Sequence, residues 1–294
     1  MLRAKKYLGQ HFLHDENIAR KIIGSLNPSI PRVLEIGPGK GVLSKYLLDN
    51  PAFDPWFIEI DPEAVVYLTE KYPAIGNRII NDDFLHFDLS TLTTPMDCRC
   101  DPEYSGDATT ANSFVIAIPS TREKQHQPST IQILGNFPYN ISSQILFRVL
   151  EYRNVVTELV GMFQKEVAQR LASPPGSKNY GILSVLIQAF YDVTLLFTVN
   201  ETVFVPPPKV KSAVIRLRRN ETACLACSEQ LWMKVVKTAF NQRRKTLRNA
   251  LKRPGIPTPA SWEDPLFDLR AEQLSGQDFV RLTGILQGTF QEIS

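Results

Sequence analysis

The sequence predicts an α/β protein with a mostly parallel sheet covered by helices on both faces, followed by a small helical C-terminal domain. Three observations predict this class. Short apolar runs that are typical of buried strands alternate with amphipathic helical patterns along most of the chain. A glycine-rich loop joins the first of these runs to a helical pattern. From about residue 220 onward, the pattern is helical only.

The parallel part of the sheet is predicted from five apolar runs. These predicted strands lie at residues 32–36, 56–60, 78–81, 131–134 and 158–163. A helical pattern follows residue 41, and another occupies residues 62–72, where Pro62 suits the first turn. Two further strands are predicted at residues 191–199 and 212–217. Helices between successive strands are the connections that parallel pairing requires.

The domain boundary is predicted after residue 219, where the strand patterns end. Residues 1–219 would form the α/β domain, and residues 220–294 a helical, basic domain. A segment at about 90–130, rich in Thr, Ser, Asp and Pro, exceeds the connections usual within compact α/β units. We interpret it as a polar surface insertion without chemistry, containing one candidate extra strand at residues 113–118.

The composition is that of an ordinary globular protein, with 43% hydrophobic and 21% charged residues. No run of about eighteen apolar residues argues for a membrane span, and the N-terminal stretch MLRAKKYLGQHFL lacks the apolar core of a secretory signal. We therefore expect a cytoplasmic monomer that does not contact membranes. Cys98, Cys100, Cys224 and Cys227 have spacings found in thiolate metal sites. Because no histidine lies near them, we expect reduced thiols and no metal.

Positive charge is concentrated in one block of a chain whose formal net charge is only +3. Residues 206–253 contain thirteen Lys and Arg residues against two Glu residues, which is typical of a polyanion-binding surface. The spacing of Arg244, Arg248 and Lys252 predicts one basic face on a helix over residues 240–253, with Arg243 beside it. The alternative for such a run is a solvated helix face that binds nothing.

The glycine-rich loop EIGPGKG and the acidic residues after the first three strands predict a nucleoside-binding site. Gly37 and Gly39 let the backbone approach a ligand closely, and their spacing differs from the dinucleotide pattern G-x-G-x-x-G. Glu35, Glu59 and Asp83 follow one another at the ends of the first, second and third strands. Carboxylates accept hydrogen bonds from ribose hydroxyls and an adenine amino group. The pattern therefore favours S-adenosylmethionine, bound at the carboxyl edge of the sheet.

The stretch IQILGNFPYN at residues 131–140 predicts a strand that ends in a socket for an adenine base. Asn136 offers a side-chain oxygen, and Pro138 holds the carbonyl of Phe137 in an extended geometry. Acceptors on both N–H groups of an adenine amino group favour its nucleophilic form. Tyr139 can stack on the base, which is worth about 1–3 kcal/mol. The alternative, core packing, explains the two rings but not the asparagine.

Taken in order, these motifs resemble the ribosomal RNA adenine dimethyltransferases. The resemblance covers most of the chain and rests on GQHFL at 9–13, EIGPGKGVLS at 35–44, IEID at 58–61, DF at 83–84, GNFPYNISS at 135–143, FQKEVAQRL at 163–171 and VFVPPPKVKSAVIRL at 203–217. It implies a Rossmann-like fold of the S-adenosylmethionine-dependent methyltransferases.

The resemblance also implies roles for single residues around the cofactor. His11 and Leu13 would close over S-adenosylmethionine beside Gly37. Glu59 would bind the ribose of the cofactor, and Asp83 would bind its adenine. The family commonly has Asn where this chain has His11, which a contact through the backbone tolerates.

For the target base, the resemblance implies that Asn136 lies between the cofactor and the adenosine. Phe204 would be the second ring of a sandwich whose other ring is Tyr139. The implied activity is methyl transfer to N6 of two adjacent adenosines near the 3′ end of 16S rRNA, within the small ribosomal subunit or its precursor. Two alternatives stay open: a large-subunit rRNA methylase of the macrolide-resistance type, and a non-catalytic RNA-binding assembly factor.

Overall fold

A computed structural model of the chain describes residues 2–93 and 130–289, and these residues confirm the predicted α/β class. The strands are β1 (Phe12–Leu13), β2 (Arg32–Ile36), β3 (Asp54–Ile58), β4 (Ile79–Ile80), β5 (Ile131–Asn136), β6 (Val156–Gln164), β7 (Tyr191–Val199), β8 (Phe204–Val205) and β9 (Ser212–Arg219). The helices are α1 (Glu16–Ile23), α2 (Ser44–Leu48), α3 (Pro62–Lys71), α4 (Ser142–Glu151), α5 (Lys165–Leu171), α6 (Ile182–Gln188), α7 (Glu229–Asn241), α8 (Leu247–Ala250) and α9 (Gly276–Gln287).

Seven strands form one sheet in the order β4-β3-β2-β5-β6-β9-β7. The five strands from β4 to β6 are parallel, and β9 runs antiparallel to both of its neighbours. The carboxyl ends of β2, β3 and β5 therefore meet at one edge, since β2 pairs with both of the others in parallel register. Ligands of open parallel sheets bind at this edge.

The sheet separates two hydrophobic cores, because successive side chains of a strand point to opposite faces. Leu34 and Ile36 of β2 belong to one core, whereas Val33 belongs to the other. The first core includes α4, α6, α7 and α9, and the second includes α1, α2 and α3. Helices on both faces, as predicted, leave only the strand ends free to build a site.

The C-terminal helices share the first of these cores with the sheet. Trp232 of α7 and Phe279 of α9 are buried in the same cluster as Ile215 of β9. Ser228 caps α7 by accepting from the Leu231 backbone, in the manner typical of helix starts. The division of the chain at residue 219 stays a prediction.

Several predicted boundaries shift. β3 ends at Ile58, two residues before the predicted end, so Glu59 lies in the loop that follows the strand. The predicted helix over residues 240–253 is wrong: α7 ends at Asn241, and α8 spans only Leu247–Ala250. Leu247 is buried, so the chain turns to bring it into the core instead of continuing one basic helical face.

A second, two-stranded sheet pairs β1 with β8 in antiparallel register, with Leu13 opposite Phe204. No pattern in the sequence predicts this sheet, because two-residue strands are too short to show a period. This pairing fastens the N-terminal segment across the carboxyl edge of the large sheet.

Most of the predicted insertion, with its candidate strand at 113–118, and Cys98 and Cys100 lie outside the described residues. Among the residues that are described, no helix is long and apolar enough to cross a membrane, and no group of three His, Cys, Asp or Glu side chains is arranged to hold a metal ion.

Candidate active site

A cleft of about 250 Å³ opens at the carboxyl edge of the sheet, between the N-terminal segment and the loops after β2, β3 and β5. Nine of the residues singled out in the sequence line it: His11, Gly37, Gly39, Glu59, Asp83, Asn136, Phe137, Pro138 and Tyr139. Leu13 and Phe204 do not line this cleft.

The glycine loop bends tightly at the floor of the cleft. Gly37 and Gly39 have φ angles of +63° and +56°, which residues other than glycine adopt only with strain. The Gly37 N–H donates to the carbonyl of Ile58 at 2.9 Å and so ties this loop to β3. A Cβ at Gly37 would meet no atom within 4 Å, whereas one at Gly39 would lie 2.8 Å from the Phe12 ring. The loop therefore leaves open space above Gly37, where a ligand can approach the backbone.

Glu59 holds this loop through its carboxylate. The side chain is buried and accepts hydrogen bonds from the backbone N–H groups of Gly39 (3.1 Å) and Asp61 (3.0 Å). Burial raises the pKa of Glu59, although the hydrogen bonds that it accepts oppose this shift. Each carboxylate oxygen accepts more than one hydrogen bond. Glu59 can therefore order the loop and still accept from a ribose hydroxyl.

Glu35 departs from the sequence interpretation as a ligand-facing acid. Its side chain is only 2% exposed and lies behind the glycine loop rather than in the cleft. The Ser44 hydroxyl donates to it at 2.8 Å. Burial raises the pKa of Glu35 to about 8. The bond to Ser44 joins the end of β2 to the start of α2, on either side of the glycine loop.

Asp83 lines the cleft and is half-buried. Its carboxylate accepts from the Leu85 backbone N–H at 2.9 Å and lies 3.0 Å from His86 Nδ1. Asp82, which also lines the cleft, accepts from the Asp83 N–H at 2.7 Å. These bonds fix the turn after β4, and both carboxylates line the cleft as acceptors.

Asn136 ends β5 and faces the N-terminal segment. Its side-chain Nδ2 donates to the backbone carbonyl of His11 at 2.7 Å. A carbonyl only accepts, so the amide nitrogen must face His11 and the amide oxygen must point away from it. The resulting acceptor is oriented by the fold before any substrate binds.

Phe137 is held by two glycines. Its ring is 1% exposed and packs against Phe163, with ring centroids 5.0 Å apart. Gly135 and Gly161, neighbours in β5 and β6, lie directly beneath the ring, where added Cβ atoms would approach it to 2.4 and 2.1 Å. The ring is therefore an anchor in the core, and the backbone carbonyl of Phe137 is what this residue can offer to a base.

Pro138 and Tyr139 form the side of the socket. The Pro138 carbonyl accepts from the Ile141 N–H and the Ser142 hydroxyl, which fixes the turn into α4. The Tyr139 hydroxyl and Ser212 Oγ are 2.5 Å apart. Burial raises the pKa of Tyr139, and the bond to Ser212 opposes this shift. The ring is thus held at both ends before it can stack on a base.

The expectation that Phe204 faces Tyr139 is not met in this structure. Phe204 is 2% exposed and belongs to the hydrophobic core beneath the two-stranded sheet, together with Leu13. The ring that stacks on Tyr139 is His11, at a centroid distance of 5.6 Å and an interplanar angle of 29°. His11 Nδ1 is 2.8 Å from the Pro206 carbonyl, which anchors this ring to the segment after β8.

The predicted RNA-contacting residues do not line the cleft, and they differ in how far their charged groups are already bound to other parts of the protein. Arg248 donates two hydrogen bonds to Asp268 Oδ1, at 3.0 and 2.8 Å. Arg243 donates to the carbonyls of Ser177 and Lys178. Lys252 Nζ lies 5.4 Å from the centroid of the Trp262 ring.

Arg244 is the exception among these four basic residues. It is exposed, and it forms no ion pair within residues 2–93 and 130–289. Among these four residues, and within the described part of the chain, Arg244 is therefore the one whose charged group has no protein partner to give up when it meets a phosphate.

Sequence reasoning missed several residues of the cleft wall. Tyr7 and Ile60 stand exposed at its mouth, at 76% and 48%. Gly9 adopts a φ of +64°, and a Cβ there would lie 2.6 Å from Asn140 Oδ1. The glycine of GQHFL was the available signal. Its purpose, bringing the N-terminal segment against the socket, depends on a contact between residues far apart in the chain.

The cleft fits the cofactor that the sequence predicts. Its glycine floor has room for a ligand, and buried or half-buried carboxylates stand along the wall as acceptors for hydroxyl and amino donors. It adjoins the socket formed by Asn136, the Phe137 carbonyl and Tyr139. A nucleoside cofactor and a target base can therefore occupy neighbouring parts of one cleft.

Comparison with known proteins gives consistent matches. The family described as "Ribosomal RNA adenine dimethylase" matches residues 1–275. A Ribosomal RNA small subunit methyltransferase A of Cytophaga hutchinsonii is 48% identical over 289 residues, covering 98% of both chains. The protein of the same name from Flavobacterium johnsoniae is 48% identical over 283 residues, covering 96% of this chain and 95% of the relative.

Solved structures agree on the fold. A dimethyladenosine transferase from Plasmodium falciparum superposes with a TM-score of 0.66 at 24% identity, covering 92% of this chain and 96% of that one. The 23S rRNA methyltransferase ErmE superposes with a TM-score of 0.60 at 23% identity, covering 94% and 99%. At these identities the likeness shows the methyltransferase fold and does not separate the two kinds of substrate.

Proposed function

This chain belongs to the ribosomal RNA adenine dimethylase family, and we propose that it transfers methyl groups from S-adenosylmethionine to N6 of two adjacent adenosines near the 3′ end of 16S rRNA, giving N6,N6-dimethyladenosine. The observation that carries the proposal is the oriented pair of acceptors, Asn136 Oδ1 and the Phe137 carbonyl, beside a cleft suited to the cofactor. The substrate is assigned to the small subunit because relatives that are 48% identical over nearly the whole chain are named Ribosomal RNA small subunit methyltransferase A.

Residues on three loops would hold the cofactor. Glu59 would accept from its ribose, Asp83 from its adenine amino group, and the open backbone at Gly37 would lie against it. The N-terminal segment, tied to Asn136 through the His11 carbonyl, would cover it. When bound, S-adenosylmethionine supplies an electrophilic methyl group.

The socket prepares the attacking nitrogen. The lone pair of an adenine amino group is delocalised into the ring, which makes the group a poor nucleophile. Hydrogen bonds from its two N–H groups to Asn136 Oδ1 and to the Phe137 carbonyl return electron density to N6. These acceptors act without reorganisation, since the His11 contact and the buried Phe137 ring hold both in place.

Tyr139 would set the plane of the base. Stacking on its ring fixes the adenine face, and the Ser212 contact fixes the position of the hydroxyl end of the ring. The methylated amino group is cationic and acidic, so its proton passes to water and no side chain has to act as a base. The target base must be unpaired or flipped out of a helix to enter.

Arg243, Arg244, Arg248 and Lys252 would contact rRNA phosphates, which supply affinity and position rather than sequence choice. We further propose that the protein acts as a monomer in the cytoplasm, where its small-subunit substrate is assembled.

The test is methyl transfer from labelled S-adenosylmethionine to undermethylated small ribosomal subunits, followed by nucleoside analysis. Large-subunit rRNA is the control substrate. Label in N6,N6-dimethyladenosine of the small-subunit RNA alone is the expected result. Label in the large-subunit RNA would move the protein to the resistance-methylase type, and cofactor binding without label on either would favour an RNA-binding assembly factor.

A further inference from the structure

A groove of about 740 Å³ leads away from the active site along α4. Asn140 lines the catalytic cleft, and Ser143, the second residue of α4, already lines the groove. Phe147 follows Ser143 at i+4, so both side chains lie on one face of the helix. The opposite wall is formed by α7 and the segment before α6. The cleft and the groove are therefore neighbours along a single helix face.

Phe147 is an aromatic ring left in water. Its exposed fraction is 36%, whereas Phe137, Phe163 and Phe204 are almost completely buried. Lys237 of α7 places its Nζ 5.6 Å from the centroid of the Phe147 ring. Within the part of the chain that the structure describes, Lys237 makes no ion pair. Proteins that bind single-stranded nucleic acid combine such groups: bases stack on exposed aromatic rings, and nearby positive charges contact the phosphates.

The net charge of the groove is positive. Its charged lining residues are Arg170, Lys178, Lys237, Arg243 and Glu166. Glu166, the one acid among the described lining residues, is already paired with Arg170 at 2.8 Å. Arg243 reaches the groove from the turn after α7 and is held there by the carbonyls of Ser177 and Lys178. A positive potential along a groove that also offers a stacking surface favours a polyanion with bases over a purely ionic partner.

We propose that this groove binds the single-stranded RNA that flanks the target adenosine, with a neighbouring base stacked on Phe147 and its phosphates near Lys237 and Lys178. The inference rests on the proposed function, since it takes the cleft to receive an adenosine. RNA is favoured over an acidic protein segment because Ile141 still lines the cleft with the base-binding socket, and Ser143, two residues later, lines the groove. An RNA strand that leaves the socket must either cross this face of α4 or extend into solvent.

The test compares two groove variants with two matched controls. Phe147→Leu and Lys237→Gln remove the stacking ring and the ammonium. Met233→Leu alters a side chain of equal exposure, 36%, on α7, and Lys21→Gln removes a lysine whose Nζ lies 4.0 Å from the Phe197 ring, elsewhere on the surface. The readouts are the Kd for undermethylated small ribosomal subunits, the single-turnover rate at saturating subunits, and chemical footprinting of the rRNA.

We expect each groove variant to raise the Kd about fivefold or more, with the single-turnover rate retained and protection lost at nucleotides beside the methylated adenosines. Both controls should behave as wild type. Kd values equal to those of the controls would overturn the inference, and so would weakened binding with an unchanged rRNA footprint, which would point to a protein partner. Wild-type protein that transfers no methyl label, but whose groove variants still lose binding and footprint, would reject the proposed function and leave the groove assignment standing.

Discussion

The side-chain amide of Asn136 donates a 2.7 Å hydrogen bond to the backbone carbonyl of His11. This contact joins the end of the central strand β5 to the N-terminal segment, 125 residues earlier in the chain. It fixes which way the amide oxygen points, and it links the wall over the cofactor to the acceptor for the target base. One residue thus serves both halves of the cleft.

Asn136→Ala should therefore lose turnover more than cofactor binding. Removing one preorganised hydrogen-bonding group from a transition state typically costs about 10²–10³ in rate, whereas the cofactor keeps Glu59 and Asp83. Single-turnover methyl transfer and calorimetric titration with S-adenosylmethionine measure the two effects separately. Equal losses in both would show that Asn136 acts mainly by closing the N-terminal segment.

Tyr139 should act through its ring more than through its hydroxyl. Tyr139→Ala removes a stacking surface worth about 1–3 kcal/mol, which is a loss of about 5- to 150-fold in transfer. Tyr139→Phe removes only the Ser212 contact and should retain most of the rate. The measurement is single-turnover transfer to undermethylated small subunits at saturating cofactor. If the alanine variant matched wild type, the base would have to bind elsewhere.

Gly161→Ala should destabilise the protein and slow transfer, because its Cβ would lie 2.1 Å from the Phe137 ring. Overpacking in a core costs about 1–3 kcal/mol, and displacing Phe137 also moves its carbonyl. Replacing the ring as well, in Gly161→Ala/Phe137→Leu, should restore part of both stability and rate.

Gly276→Ala is the matched control for this experiment, since a Cβ at the start of α9 meets no atom within 4 Å. Urea unfolding and single-turnover assays give the two readouts. A double variant no better than Gly161→Ala alone would mean that the clash involves the strand itself.

Glu35 should make the free energy of unfolding depend on pH. Burial raises its pKa from 4.5 to about 8, so the folded state holds this proton more tightly than the unfolded state. The stability that Glu35 contributes is therefore complete below its unfolded pKa of 4.5. It is lost as the pH rises from there through the folded pKa of about 8. Glu35→Gln should flatten the decline, and Ser44→Ala should extend it to higher pH, because the hydroxyl that opposes the shift is gone. Urea unfolding between pH 5 and pH 9 provides the test, and identical slopes for wild type and Glu35→Gln would assign the dependence to other groups.

Arg244 and Arg248 should differ in their contribution to rRNA binding. Arg244→Ala should reduce the slope of log K against log salt by about one, as expected when one phosphate contact is lost. Arg248→Ala should change the slope less, because its guanidinium already donates to Asp268. Filter binding of undermethylated small subunits across a salt series measures both slopes. The reverse order would show that the Asp268 pair opens on binding.

The sequence by itself determined the fold class, the glycine loop and the acceptor socket, because each is written in residues close together in the chain. Buried strands appear in the sequence as apolar runs. The residue types of Gly37, Asn136 and Pro138 indicate the local geometry at each position. Only the tertiary structure decided four other features: the approach of His11 to Tyr139, the burial of Phe204, the position of Glu35 behind the glycine loop, and the end of α7 at Asn241. These features depend on contacts between distant segments, and the free energy of burying a side chain outweighs the local preference that a sequence pattern records.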